Sequence, residues 1–393
     1  MRNPSYDSLR SATALIVAGE ASGDLHGARL AAEMKILWPG VTIRGMGGHR
    51  MASEGVEILV SCSDVAVVGL TEVFMKLPAL RRALAILKSE LELNRPDLLV
   101  LIDYPDFNLH LAGFAGRLGI PVLYYIGPQV WAWRRGRIRK IARRVTRMAV
   151  ILPFEEDYYK RRGVNARYVG HPLMDASSFP ALEAREDLRL EEPLVGLIPG
   201  SRREEVIRLL PSMVKAGELM KRRFPDISFV LPLAESIPIE LVKTYLSKSN
   251  IHVDVLRSGI YEALRRCHVA MVASGTATLE TAIMGVPMVI AYRVSSLSYL
   301  VGRLVIKVPF IGLVNLVAGE KAVPELIQHE VSPGNLAMEA ARLLEDDSLR
   351  RRTIEKLAVV KKSLGGSGAS RRAAEIAIHM LGSRPGSLDF RPL

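Results

Sequence analysis

The stretch TALIVAGEASGDLHGA, Thr13 to Ala28, sets the pattern for the whole chain: an apolar run of strand length passes through a glycine into a polar turn and then into helical periodicity. Glycine at such a turn lets the backbone approach a ligand, and the helix that follows aims free N–H groups and the positive end of its dipole at an anion. A tight strand-to-helix turn with a polar cap accounts for the segment as well. Glu20 and Asp24 exceed what that turn requires, and two acidic groups at one strand end suit sugar hydroxyls.

The same alternation continues outward. Further strands are expected at 98–102, 122–126 and 148–152, with helices such as 80–93, where Leu80, Leu84, Leu87 and Leu91 recur on one face. The pattern restarts at 194–198 and runs through 227–231, 252–256, 268–272 and 287–291. Between the halves, 175–193 breaks the periodicity as a linker does. The expected class is α/β: two Rossmann-like lobes facing across a cleft, the architecture called GT-B, with a C-terminal helical tail. The lobes are expected at 1–180 and 181–347, and the tail, 348–393, either packs back on the first lobe or is exchanged between subunits.

At 393 residues the chain is long for one core and suits two domains of roughly 150 to 200 residues. With 49% apolar and 24% charged residues, the composition excludes disorder. No apolar run reaches the roughly 18 to 20 residues of a bilayer-spanning helix; the best candidate, 300–318, is broken by Arg303, Lys307 and Asn315. The polar N-terminus lacks the apolar core of a secretory signal, so a cytoplasmic location is expected. Cys62 and Cys267, without C-x-x-C spacing, agree and indicate no structural metal. A net charge of +12 calls for an anionic partner: nucleic acid, a phosphorylated substrate or acidic lipid.

Three further segments carry chemistry. IDYPDFN, Ile102 to Asn108, places Asp103 at the carboxyl end of a strand, where a carboxylate can take a proton from an attacking hydroxyl. Capping the next helix is the competing use, for which Asp106 is better placed. Gly200, Ser201 and Arg202 offer backbone donors, a hydroxyl and a guanidinium to a diphosphate, though a capped helix start fits them too; the Gly-Lys-Ser/Thr element of a P-loop is missing. SGTATLE, Ser274 to Glu280, starts a helix whose amides can face phosphate while Glu280 accepts from ribose hydroxyls. It is the most specific of the three.

GPQVWAW, Gly127 to Trp133, leads into 134–147, which holds eight basic residues and no acidic one. Tryptophan beside positive charge suits an anionic membrane and also single-stranded nucleic acid, while a solvated helix face is the ordinary explanation of a charge run. The apolar, partly basic stretch 65–82, with Val67, Val68, Leu70, Phe74, Met75 and Leu77, favours a surface resting on lipid. A nucleic-acid role leaves the phosphate-facing motifs at 200–202 and 274–280 without purpose, so no nucleic-acid partner is expected.

Together AGEASGDLHGA, IDYPDFN, YYIGPQVWAW, YVGHPL (Tyr168 to Leu173), PGSRREEV, SGTATLE and LVNLVAGE (Leu313 to Glu320) resemble the lipid A disaccharide synthase family, in order, from about Ala14 to Pro324. The resemblance implies an inverting glycosyltransferase of lipopolysaccharide biosynthesis. It would join UDP-2,3-diacylglucosamine to 2,3-diacylglucosamine 1-phosphate through a β-1′,6 linkage and release UDP. It implies Asp103 as general base, Glu20 as a second catalytic carboxylate, and Ser22, Gly23 and Asp24 as a wall holding the sugars. Asn108 and Gln129 are expected among the substrate contacts. Gly200, Ser201, Arg202, Gly275, Thr276 and Glu280 are implied as the UDP cradle, with Asn315 a polar contact near the diphosphate. No D-x-D motif occurs, so no metal or cofactor is expected, and helix ends with Arg202 would stabilise the leaving group. The resemblance further implies a peripheral protein at the inner face of the inner membrane and leaves the oligomeric state open, a homodimer exchanging C-terminal segments at a Gly365-Gly-Ser-Gly368 hinge being one form it allows. The alternative is another UDP-sugar enzyme of this fold, a UDP-N-acetylglucosamine 2-epimerase or a lipid-linked peptidoglycan glycosyltransferase; GEASGD and IDYPDFN favour the synthase.

Overall fold

The computed structural model describes residues 12–65, 70–132, 135–175, 192–257, 259–306 and 308–382. They fall into two compact units divided after Asp175 and after Leu364, the last helix belonging to the first unit.

Unit 1 is built on parallel strands β1 (Thr13–Ala18), β2 (Thr42–Gly47), β3 (Glu57–Ser61), β4 (Leu98–Ile102), β5 (Val122–Tyr125), β6 (Arg147–Val150) and β7 (Ala166–Tyr168), in the order β3-β2-β1-β4-β5-β6-β7. Helices cover the sheet, so central strands read as unbroken apolar runs; every residue of β4, Leu-Leu-Val-Leu-Ile, is buried. Strand order reverses between β1 and β4, which pair with Ala18 opposite Ile102. Ligands of open α/β sheets bind outside the carboxyl ends of the strands at such a reversal.

Unit 2 repeats the plan with β8 (Leu194–Ile198), β9 (Ser228–Pro232), β10 (Val253–Leu256), β11 (Val269–Ala273), β12 (Met288–Tyr292) and β13 (Glu325–Ile327), in the order β10-β9-β8-β11-β12-β13. Its reversal lies between β8 and β11, with Ile198 opposite Val272.

Four strands were not expected from the sequence. In β2, glycine replaces the β-branched signal because Gly45 must pass close to β1: an added Cβ would lie 1.8 Å from the Ile16 carbonyl oxygen. β3 and the three-residue β7 and β13 are edge strands, whose mixed burial blurs the pattern.

The tail, expected from 348 with a hinge at Gly365-Gly-Ser-Gly368, consists of two helices. Helix Asp347–Ser363 packs on helices Thr276–Ile283, Leu313–Ala318 and Pro333–Glu345 of unit 2, whereas helix Ala369–Gly382 packs on helix Ala21–Leu37 of unit 1. Between them Gly365 (φ 82°) and Gly368 (φ 91°) adopt left-handed backbone that other residues resist. Asp175 caps the second piece: its carboxylate accepts from the amides of Gly368 (2.7 Å), Ala369 (2.9 Å) and Ser370 (2.9 Å) and from the Ser370 hydroxyl (2.8 Å). Burial pushes this carboxyl upward, but the bonds from 368–370 outweigh it and hold it below the ordinary range.

Candidate functional site

In unit 1 the reversal point brings Glu20 and Asp103 together. Gly19 separates β1 from Glu20, and an added Cβ there would lie 2.4 Å from the Tyr104 ring, so only glycine lets the two strand ends approach. Glu20 precedes helix Ala21–Leu37, exposed, its side chain making no cap.

Asp103 and Tyr104 both adopt left-handed backbone, φ 47° and 48°, a geometry that costs roughly 1–2 kcal/mol per non-glycine residue. Four bonds hold the kink. The Asp103 amide donates to the Ile126 carbonyl at 3.2 Å; the Tyr124 hydroxyl donates to the Asp103 carbonyl at 2.6 Å; and Asn108 Nδ2 donates to the carbonyls of Asp103 (2.7 Å) and Ile102 (3.1 Å). The Asp103 carboxyl is raised above its ordinary range by burial first and by the Glu20 charge second, against a bond from the Tyr104 amide. A raised carboxylate is a better proton acceptor once ionised.

Two expected substrate contacts are otherwise employed. Asn108 is 0% exposed and both its N–H donors serve backbone carbonyls, so it positions Asp103. Asp24 is buried and accepts from the amides of Gly48 (2.6 Å), Met51 (3.1 Å) and Arg50 (3.2 Å), which fixes the start of helix His49–Ser53. The buried Asn108 Nδ2 and Asp24 carboxylate thus find their partners inside the protein. Ser22 is exposed, whereas Gly23 is buried where a Cβ would come 3.2 Å from that of Ala18. Gln129 is exposed and lines a 260 Å³ cavity with Asp103, Ile126, Gly127, Pro128 and Arg137.

That cavity has a braced wall. Trp131, expected at a lipid surface, is instead 5% exposed, edge-on to Phe154, and donates from Nε1 to Glu155 Oε1 at 2.9 Å. An indole whose one N–H is satisfied internally gains more from the core than from an interface. Glu155 also accepts from the amides of Ile151 and Leu152, and the Tyr159 hydroxyl donates to the Pro128 carbonyl at 2.5 Å. Burial pushes Glu155 up to about 7 in spite of those donors. Trp133, Arg134, Val67 and Val68 of the expected lipid surface lie outside the described residues.

In unit 2 the reversal point opens into a 460 Å³ cavity lined by Gly200, Ser201, Arg202, Gly275, Thr276 and Glu280, among others. Gly275 (φ 154°) begins helix Thr276–Ile283, and an added Cβ there meets open space. Glu280 is raised by burial, opposed by a hydrogen bond from Tyr261. At the other wall, Gly200 (φ 109°) leads into helix Arg203–Arg223. The capped start left open by the sequence is formed here: Glu205 Oε2 accepts from the amides of Ser201 and Arg202, each at 3.2 Å, while Arg202 Nη1 meets Glu205 Oε1 at 2.9 Å. The same residues face the cavity, so capping and anion binding share one loop.

Asn315, expected as a polar contact near the diphosphate, lies inside unit 2. It is 0% exposed; Nδ2 donates to the Val323 carbonyl (2.9 Å) and Glu325 Oε1 (2.8 Å), and Oδ1 accepts from the amides of Ala322 (2.9 Å) and Val323 (3.0 Å). These bonds fill the amide's two donor and two acceptor positions and hold the 322–325 segment in place.

Sequence reasoning missed Tyr124, whose hydroxyl bond is invisible in an apolar strand, and Arg137, one cation among eight in its run. Arg257, beyond β10, also lines the 460 Å³ cavity.

A family model described as lipid-A-disaccharide synthetase matches residues 14–379. Similar curated proteins include the lipid-A-disaccharide synthases of Geobacter metallireducens, 47% identical over 94% of this chain and 97% of that one, and of Coxiella burnetii, 41% identical over 93% and 98%. Among solved structures, the UDP-GlcNAc 2-epimerase of Neisseria meningitidis bound to UDP-GlcNAc superposes with a TM-score of 0.63 at 13% identity, covering 93% of this chain and 100% of that one. MurG of Acinetobacter baumannii gives 0.60 at 13%, covering 94% and 100%. At such identities the likeness shows the fold, GT-B, alone.

Proposed function

Because the chain belongs to the lipid-A-disaccharide synthetase family, glycosyltransferases of lipid A biosynthesis, we propose that its two units divide the labour of one inverting displacement. Unit 1 receives 2,3-diacylglucosamine 1-phosphate. Asp103 takes the proton of the acceptor's 6-hydroxyl as that oxygen bonds to the anomeric carbon of UDP-2,3-diacylglucosamine. The bond from that carbon to the diphosphate breaks, its electron pair leaves with UDP, and the configuration inverts to the β-1′,6 linkage. Glu20 sustains the basicity of Asp103 through its charge, and Tyr124 and Asn108 aim it. In unit 2 the start of helix Thr276–Ile283, with Ser201 and Arg202, stabilises the departing diphosphate, and Glu280 accepts from ribose hydroxyls.

The observation that supports this reading is Asp103 at the β1/β4 reversal beside Glu20, held on strained backbone, its carboxyl driven upward by burial. Mass spectrometry after incubation with both acylated substrates tests it: a disaccharide 1-phosphate and UDP should appear in equal amounts. Turnover of non-acylated UDP-sugars alone, or epimerisation without acceptor, contradicts it.

The proposal includes peripheral attachment to an anionic membrane, supported by the exposed Arg139, Lys140 and Arg143. Co-sedimentation with anionic vesicles that weakens with salt is the expected result, and binding to duplex DNA in preference is the contrary one. A homodimer exchanging the last helix at the Gly365–Gly368 turn is the remaining part, supported by the glycine backbone there.

A further inference from the structure

The reaction needs two anions held, and the family reading assigns residues to one. The cradle of unit 2 serves the donor's diphosphate; the acceptor carries a phosphate of its own. Among the described residues lining the 260 Å³ cavity beside Asp103, Arg137 is the one cation and Asp103 the one acid. The remaining wall consists of Pro105, Ile126, Gly127, Pro128, Gln129 and Val130, apolar apart from Gln129 and backbone.

We propose that Arg137 recognises the acceptor, its guanidinium binding the phosphate monoester of the sugar whose hydroxyl faces Asp103. This rests on reading Asp103 as the base of the acceptor side, and it adds what selects the acceptor.

Three observations carry it. The first is chemical order: a base and a cation share one cavity of head-group size, as a hexose phosphate carries its primary hydroxyl and its anomeric phosphate at opposite ends. Second, the Arg137 side chain is only 14% exposed, so its field is less screened than that of the exposed Arg139, Lys140 and Arg143, and its planar fork matches two phosphate oxygens. Its ion-pair partner is Asp106, whose side chain is 77% exposed. An exposed carboxylate returns to water at little loss, so Asp106 holds the guanidinium in place and yields it to a doubly charged ligand. Third, the wall is prebuilt. Tyr159 ties Pro128, Ile126 holds left-handed backbone at φ 58°, and its carbonyl accepts from the Asp103 amide. The base and the wall facing the cation therefore sit on one braced frame, which is what discrimination between similar acceptors requires.

The test compares wild type with Arg137→Gln and Arg137→Lys, using 2,3-diacylglucosamine with and without its 1-phosphate. Wild type should prefer the phosphorylated acceptor in kcat/KM by about ten- to a hundred-fold. Arg137→Gln should lose that preference through a higher KM for the phosphorylated acceptor alone, with donor KM and melting temperature unchanged, and Arg137→Lys should restore part of it. Equal damage with both acceptors, or a raised KM for the UDP-sugar instead, overturns the assignment. Asp103→Asn measured in parallel separates the two readings: full turnover there removes the base and leaves the phosphate contact standing.

Discussion

The hydroxyl of Tyr124 donates to the main-chain carbonyl of Asp103 across 2.6 Å, joining the middle of β5 to the strained turn at the end of β4. The side chain of Tyr124 is fully buried, so this bond is its link to the site. It acts on the direction in which the Asp103 carboxylate points.

Tyr124→Phe keeps the ring and deletes the bond, leaving Asn108 as the remaining donor to that carbonyl. Turnover should fall about ten-fold, the equivalent of one buried hydrogen bond, with the KM of the UDP-sugar unchanged. Steady-state kinetics at saturating substrates decides; a wild-type kcat would show that the clamp does not orient the base.

Asp103 should weaken the fold it serves. Its folded pKa is raised, so the native state holds the proton more tightly than the unfolded chain, and stability declines as pH rises through the folded value. Asp103→Asn should therefore melt higher than wild type at pH 8. The gain should vanish below about pH 3.9, where the unfolded carboxyl is protonated too. Melting curves across that range check the sign, and a variant less stable at pH 8 contradicts the burial argument.

Asp175 has the opposite sign. Its folded pKa is depressed, so its stabilisation is present above the unfolded value of about 3.9 and is lost as pH falls through the folded one. Asp175→Ala should cost about 1–2 kcal/mol at neutral pH, as removal of a helix cap does. Hydrogen exchange should accelerate first in helix Ala369–Gly382. Exchange unaltered there would mean that the helix docks without its cap.

At Gly275 the space next to the missing Cβ is empty, so a side chain has room in the protein and conflicts with backbone and ligand. Gly275→Val should raise the KM for UDP-sugar more than ten-fold through φ 154° and obstruction of the helix start, while acceptor KM holds. Titration of the variant with UDP, followed by calorimetry, shows this directly; unimpaired UDP binding would move the diphosphate elsewhere.

Much of this was legible in the sequence because parallel strands buried on both faces leave an unmistakable trace. β1, β4 and β8 fall where their apolar runs end, and glycine follows β1 at 19 and β8 at 200, as Ser274-Gly275 follows β11. What escaped lies in the partners of polar atoms. Asp24, Asn108 and Asn315 occur in motif blocks and read as ligand contacts, yet each bonds partners that sequence spacing does not reveal: backbone amides or carbonyls, and for Asn315 the Glu325 carboxylate too. Trp131 reads as interfacial beside a basic run, but its indole is claimed by Glu155, 24 positions away. Membership of the family separated the competing readings where the fold could not.

The most direct measurement of the central claim is the single-turnover rate of Asp103→Asn with saturating acceptor, set beside its affinity for UDP-sugar. The rate should fall by about 10² to 10⁴, the share of a lost general base, with donor affinity preserved. A rate near that of wild type would take proton removal away from Asp103 and with it the role assigned to the β1/β4 turn.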